Sequence, residues 1–218
     1  MQKIYPSPKN LSLIFDLDAE MLRWSQTVYG VAHSLHIANS LKLGNLTTLL
    51  ESLQAADYWN QSSLGFQSCL PSKNFREGSI NLDGRDHEEI FKSLSENIVQ
   101  VLFINLAVLA DECLGSLIKK ASGSAPPNFL TNKAEWVKAR IDEKHEWAAN
   151  GLLELCAIRN ALVHAGGRLT PAVVAILKNA GVKDAVPEHI VKLSFGDLFR
   201  YRRALRTVFG EIAKLQAK

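Results

Sequence analysis

Leu152-Leu153-Glu154-Leu155-Cys156-Ala157-Ile158-Arg159-Asn160-Ala161-Leu162-Val163-His164-Ala165-Gly166-Gly167-Arg168 is the stretch on which the fold turns. It reads as a helix, apolar over most of its surface. Its last two turns nevertheless carry Arg159, Asn160 and His164, just before two glycines. Arg and His are rarely buried without a partner, so a helix needed only for packing would carry Leu or Ala there. Asn160 and His164 are i and i+4 and share a face. Arg159 and His164 are i and i+5, about 140° apart on an ideal helix, too far to stack directly. The length of the Arg side chain, and a last turn loosened by Gly166 and Gly167, are expected to let all three edge one shallow cleft. A second copy across a two-fold axis would complete it.

Such a trio suits phosphodiester cleavage. Arg presents planar donors that match phosphate oxygens and stays charged at any working pH. His titrates near neutrality and can take or give a proton. Asn holds an imidazole or a substrate group without adding charge. No carboxylate cluster or Cys/His ligand set lies nearby in the chain, so neither a metal nor another cofactor is implied.

Arg159-Asn160-Ala161-Leu162-Val163-His164 resembles the Arg-polar-x-x-x-His signature of the HEPN superfamily, the all-helical domains of many toxin and defence ribonucleases. The surroundings are similar too: a long core helix before the motif helix, then a small-residue turn, a short helix, an extended piece and a final helix. The resemblance covers roughly residues 85–217. It implies a metal-independent endoribonuclease of the cytoplasm. His164 would deprotonate a ribose 2′-hydroxyl or protonate the leaving 5′-oxygen. Arg159 would stabilise charge on the phosphate, and Asn160 would orient His164 or a phosphate oxygen. It implies a homodimer with the motifs facing each other, RNA as partner, products ending in a 2′,3′-cyclic phosphate and a 5′-hydroxyl, and an antitoxin or other regulatory protein. Some family toxins carry a Tyr two residues after the motif His, where a cognate nucleotidyltransferase modifies them. Here that position is Gly166, so control by that route is not expected. The alternative is a non-catalytic helical module that binds RNA, a nucleotide or a partner protein.

Composition is compatible with either reading. The chain has 218 residues, is 47% hydrophobic and 22% charged, and carries a formal net charge of +3, which permits nucleic-acid binding without demanding it. Its three cysteines, Cys69, Cys113 and Cys156, form no zinc pattern. Cys113 and Cys156 sit in apolar helical context and are expected to be buried free thiols, which suits a reducing cytoplasm. Residues 1–10 are polar with two prolines and do not read as a secretion signal. The apolar run Ile98–Ala110, interrupted by Gln100 and Asn105, is too short to span a bilayer and reads as a core helix. No membrane partner is expected.

In chain order, residues 1–10 read as a loose lead-in. Phe15-Asp16-Leu17-Asp18 resembles the nucleophile motif of haloacid-dehalogenase-like phosphatases. No strand–helix alternation follows, so a helix N-terminus with acids near its dipole is the better reading. His33 and His36, at i and i+3, lack a third ligand in register and read as polar helix residues. Trp24, Tyr58 and Trp59 read as packing anchors. A second helix is expected over 41–58 and irregular loop over 60–84. This places an N-terminal extension at 1–84 and the motif-bearing helical domain at 85–218, packed as one unit.

Asp86 with Glu89 opens a helix running to about Lys120. Leu94, Ile98, Val101, Leu102, Asn105, Val108, Leu109, Glu112 and Cys113 follow its i, i+3/i+4 spacing. Asn105 or Glu112 is a candidate support for Arg159 or His164. Otherwise Asn105 serves a local polar pocket and Glu112 faces water. Asn132 with Glu135 resembles a cap for a helix reaching about Glu143, whose Lys133, Lys138, Arg140 and Lys144 form a solvated or phosphate-contacting basic face. The motif helix starts near Glu146, and Glu154 pairs with Arg159 or faces water. Thr170-Pro171 opens a short helix closed by Gly181. Residues 189–193 are extended, and Ser194 with Asp197 opens the last helix. Arg200, Arg202 and Arg203 on that helix, with Tyr201 between them, and Arg168 after the motif are candidate RNA contacts. The expected fold is an all-α helical bundle with a short extended segment near 189–193.

Overall fold

The computed structural model describes residues 8–40 and 87–215. Among them the chain is all-α, a helical bundle. Its helices are α1 Pro8–Ser40, α2 His87–Ser122, α3 Leu130–Lys138, α4 Glu146–His164, α5 Pro171–Asn179 and α6 Phe195–Leu215. A 3₁₀ turn, Glu143–His145, leads into α4. The β pairing among the described residues is one antiparallel bridge, Arg168 to Ile190, at the expected extended segment. The helix expected at 41–58, the loop at 60–84, Cys69 and the boundary at residue 84 lie outside the described residues.

The chain divides into two units. One holds α1 up to Tyr29 together with the chain from Glu96 onward; the other runs from Gly30 to Ser95. The first is organised around α4. Ala148, Ala149, Leu152, Leu153, Leu155, Cys156, Ala157, Ile158 and Ala161 are all buried, so this helix is covered by neighbours on most of its circumference. Helices α3, α5 and α6 supply the cover. Each fully buried leucine contributes roughly 1.5–3 kcal/mol. Small residues let α6 come close: a Cβ at Gly151 would stand 2.9 Å from that of Ala204. His145 Nε2 reaches Glu211 Oε1 at 3.3 Å and ties the end of α6 to the start of α4.

Helix α2 walls the same core with Phe103, Leu106, Ala110, Leu114 and Leu117, all fully buried. Phe103 meets Tyr201 of α6 edge-on at 5.2 Å between ring centroids. Trp24 of α1 is buried, as an anchor should be, and its indole N–H donates to Leu102 O at 3.3 Å. Tyr29 and Phe199 stack at 4.8 Å between centroids.

Several expectations need correction. Helix α1 starts at Pro8, so Asp16 and Asp18 lie within it, at least two turns from its N-terminus. The face of α2 chosen by spacing is the inner one only in part: Leu102 and Cys113 are buried, but Val101, Asn105, Val108 and Glu112 are exposed, and Val99, Phe103, Leu106 and Ala110, outside that set, are buried. A helix apolar all round has no periodicity to say which side is inner. Its apolar character also outlasts Ala110. Ser95–Ser122 is long and apolar enough to cross a membrane by length and composition alone, and half of its most apolar window is buried within the molecule. Finally, α3 starts at Leu130 and ends at Lys138, with Phe129 at its N-cap position and no side-chain cap. Asn132 is therefore inside the helix. Lys133, expected on a solvated face, is buried, with Nζ 2.7 Å from Asp111 Oδ1 and 3.0 Å from Asp111 O.

Candidate functional site

The site is built at the C-terminal end of α4. Helical geometry persists through His164. Gly166 and Gly167 then take φ of +57° and +81°, values that a residue with a Cβ adopts at a cost. The N–H of Gly167 returns to Ala161 O at 2.9 Å and closes the helix end. The chain reverses there. Leu169 N donates to His189 O at 2.9 Å, and Val191 N donates to Gly167 O at 2.8 Å. Thr170 then caps α5, its Oγ1 accepting from Val173 N at 3.3 Å. Two consecutive left-handed residues thus bring the start of α5 back beside the end of α4.

The structure brings Arg159, Asn160 and His164 together. Arg159 Nη1 donates to Asn160 Oδ1 at 3.1 Å and lies 3.3 Å from His164 Nε2. Asn160 holds the guanidinium, where orientation of the imidazole or a phosphate was expected. Arg159 and Asn160 are half-buried and His164 is exposed, so one ring edge is open to an incoming group. A guanidinium has donors only. Its contact with Nε2 is a hydrogen bond only while that nitrogen carries no proton, the state in which it can accept one from a substrate.

All three residues line a cavity of about 630 Å³. Its other walls are the first turn of α3, from Phe129 to Asn132, and the start of α5, from Thr170 to Ile176. Two helix N-termini therefore border it, and the positive end of each helix dipole favours negative charge. Cys156 also lines the cavity, but burial first, and then the Asp111 carboxylate, push its thiol well above the ordinary range. The Cys113 thiol is pushed up to about 11 by burial, then by Glu112 and Glu20. Both cysteines are free and buried, as expected, and neither is activated as a nucleophile.

The other sequence-selected residues do not line this cavity. Asn105 and Glu112 are exposed on α2. Glu154 meets Arg200 rather than Arg159: Arg200 Nη1 and Nη2 donate to its two oxygens at 2.7 and 2.8 Å, and the Tyr201 hydroxyl donates to Oε1 at 2.7 Å. Asp197 Oδ1 stands 3.6 Å from Arg200 Nη2. Arg203 lies over the exposed Trp147 at 5.6 Å. Arg202 is half-buried, and Arg168 is exposed, 3.9 Å from Glu188. His33 and His36 are exposed on α1. Among the described residues no three of His, Cys, Asp or Glu are grouped so as to hold a metal ion.

Sequence reasoning missed Phe129, Thr131, Val173 and Ile176. They reach the cavity only because α3 and α5 pack on α4, and no local pattern announces that. No protein-family model, curated protein or solved structure matches the chain.

Proposed function

We propose that this chain is a metal-independent endoribonuclease of the toxin or defence type, acting in the cytoplasm as a dimer. The observation that carries this reading is the 3.3 Å approach of Arg159 Nη1 to an exposed His164 Nε2 at the wall of an open cavity. His164 takes the proton of a ribose 2′-hydroxyl. The 2′-oxygen attacks phosphorus as the bond to the 5′-oxygen breaks, and the leaving oxygen takes up a proton. Arg159 turns from His164 to the phosphate and stabilises the charge that grows on it. Asn160 keeps the guanidinium near the reacting group. The products are a 2′,3′-cyclic phosphate and a 5′-hydroxyl. One histidine per chain supplies either the base or the acid, so a partner copy supplies the other.

A non-catalytic module would have His164 enclosed and Arg159 held by a carboxylate. His164 is exposed, Glu112 faces outward and Glu154 is engaged by Arg200. These facts favour the nuclease.

The test is cleavage of a structured RNA by the purified chain in excess chelator, beside His164→Ala and Arg159→Ala variants of unchanged size. Each variant is expected to lose roughly 10²–10⁴-fold in rate, and the same RNA with 2′-deoxy sugars should resist. Equal cleavage by the parent and His164→Ala would sink the assignment.

A further inference from the structure

We propose that the cavity beside the motif receives the nucleobase next to the scissile phosphate, with Phe129 stacking on it and Thr131 and Asn132 reading its edge. This rests on the nuclease reading above but goes to what the enzyme selects.

Phe129 is the starting point. It is 70% exposed, a large apolar surface left in water. It also occupies the N-cap position of α3, where Ser, Thr, Asp or Asn would satisfy a backbone N–H, and α3 has no side-chain cap. Neither core packing nor capping accounts for a phenylalanine there. It instead lines the cavity that Arg159 and His164 also line.

The cavity has the dimensions and lining for a base. About 630 Å³ falls within the range of roughly 300–1,000 Å³ usual for small-molecule sites. Leu130, Val173 and Ile176 give it apolar walls. Thr131 and Asn132 add a hydroxyl and an amide, which between them donate and accept. Among the described residues neither side chain is engaged in a hydrogen bond within the chain. Sequence-selective RNA recognition works by this combination, an unstacked base lying on an aromatic ring with its edge hydrogen-bonded. The phosphate attached to such a base would lie at the Arg159–His164 end. A base inside the cavity has left its helical stack, so cleavage falls in single-stranded or loop RNA.

The test is calorimetric titration of the full chain with the four nucleoside 3′-monophosphates and the four 5′-monophosphates. These stand for the nucleotides before and after the cut. One base should bind at least about ten-fold more tightly than the other three. Phe129→Ala should weaken that binding about ten-fold or more, and Phe129→Trp should retain it. Both variants alter an exposed side chain, so an unchanged melting temperature is expected of each. No binding, equal affinity for the four bases, or full affinity in Phe129→Ala overturns the proposal. If RNA is cleaved yet none of the eight probes binds selectively, the base site fails and the nuclease stands. If one base binds through Phe129 and no RNA is cleaved, the site stands and the nuclease fails.

Discussion

Arg159 Nη1 stands 3.3 Å from His164 Nε2 although the two residues are five apart on one helix. An ideal helix separates them by about 140°, and the length of the Arg side chain closes the gap. Because Arg can only donate, it selects the ring form with the proton on Nδ1. Nitrogen NMR of His164, at a pH where the ring is neutral, should show that tautomer dominant. In Arg159→Ala the Nε2–H form favoured by free histidine should return. An unchanged tautomer ratio would mean that the contact does not exist in solution.

Gly151 faces Ala204 where α4 packs on α6. A Cβ there would lie 2.9 Å from the Ala204 Cβ, and neither atom sits at the end of a flexible side chain. Gly to Ala inside a helix ordinarily gains about 1 kcal/mol. Here overpacking opposes that gain, and Gly151→Ala should destabilise by about 1–3 kcal/mol in urea unfolding. Ala204→Gly in the same chain should restore most of the loss. A Gly151→Ala protein more stable than the parent would show that the helices separate at no cost.

How much of this was legible in the sequence depends on the range of each interaction. The start of α4 at Glu146 and its close just before Gly166 followed from local pattern, and so did the caps of α5 and α6. Ser194 and Asp197 exchange hydrogen bonds, Ser194 N to Asp197 Oδ2 at 2.9 Å and Asp197 N to Ser194 Oγ at 3.3 Å. Both partners lie within four residues, so the signal is complete in a short window. The same kind of window misled at Asn132 and Glu135. Packing against α4 and the buried contact of Lys133 with Asp111 place the start of α3 at Leu130 instead. The cluster of Arg159, Asn160 and His164 was legible because all three share one helix. The cavity beside it was not, because its walls come from segments spaced along 129–176 that only tertiary packing unites.

Tyr201 gives a pH dependence. Burial first, and then the Glu154 carboxylate beside it, raise its phenol well above the usual value, which is about 10. The folded chain therefore keeps this proton at a pH where the unfolded chain has lost it. In that interval the native state binds more protons, so stability falls as pH rises. The contribution is complete below about pH 10 and is lost above it. Tyr201→Phe should cost about 1 kcal/mol at neutral pH, through the lost bond to Glu154. Its stability should then decline less steeply than that of the parent above about pH 10. Parallel slopes in urea unfolding across that range would refute the assignment.

Lys133 and Asp111 form an asymmetric pair, and the asymmetry predicts an order of variants. The Lys133 side chain is 9% exposed and that of Asp111 is 41% exposed. Asp111→Ala leaves a buried ammonium with the Asp111 backbone carbonyl as its remaining partner among the described residues. That should cost about 3 kcal/mol. Lys133→Ala leaves a carboxylate that water can reach, so its cost should be smaller, roughly 1–2 kcal/mol. Lys133→Met keeps the length of the stem that packs beside Gly115 and removes the charge. It should lie within about 1.5 kcal/mol of the parent. Urea unfolding of the three variants should therefore rank Asp111→Ala as the least stable and Lys133→Met as the most. Were Lys133→Met to unfold as early as Asp111→Ala, the charge itself would be holding α3 to α2, and burial of the stem would count for little.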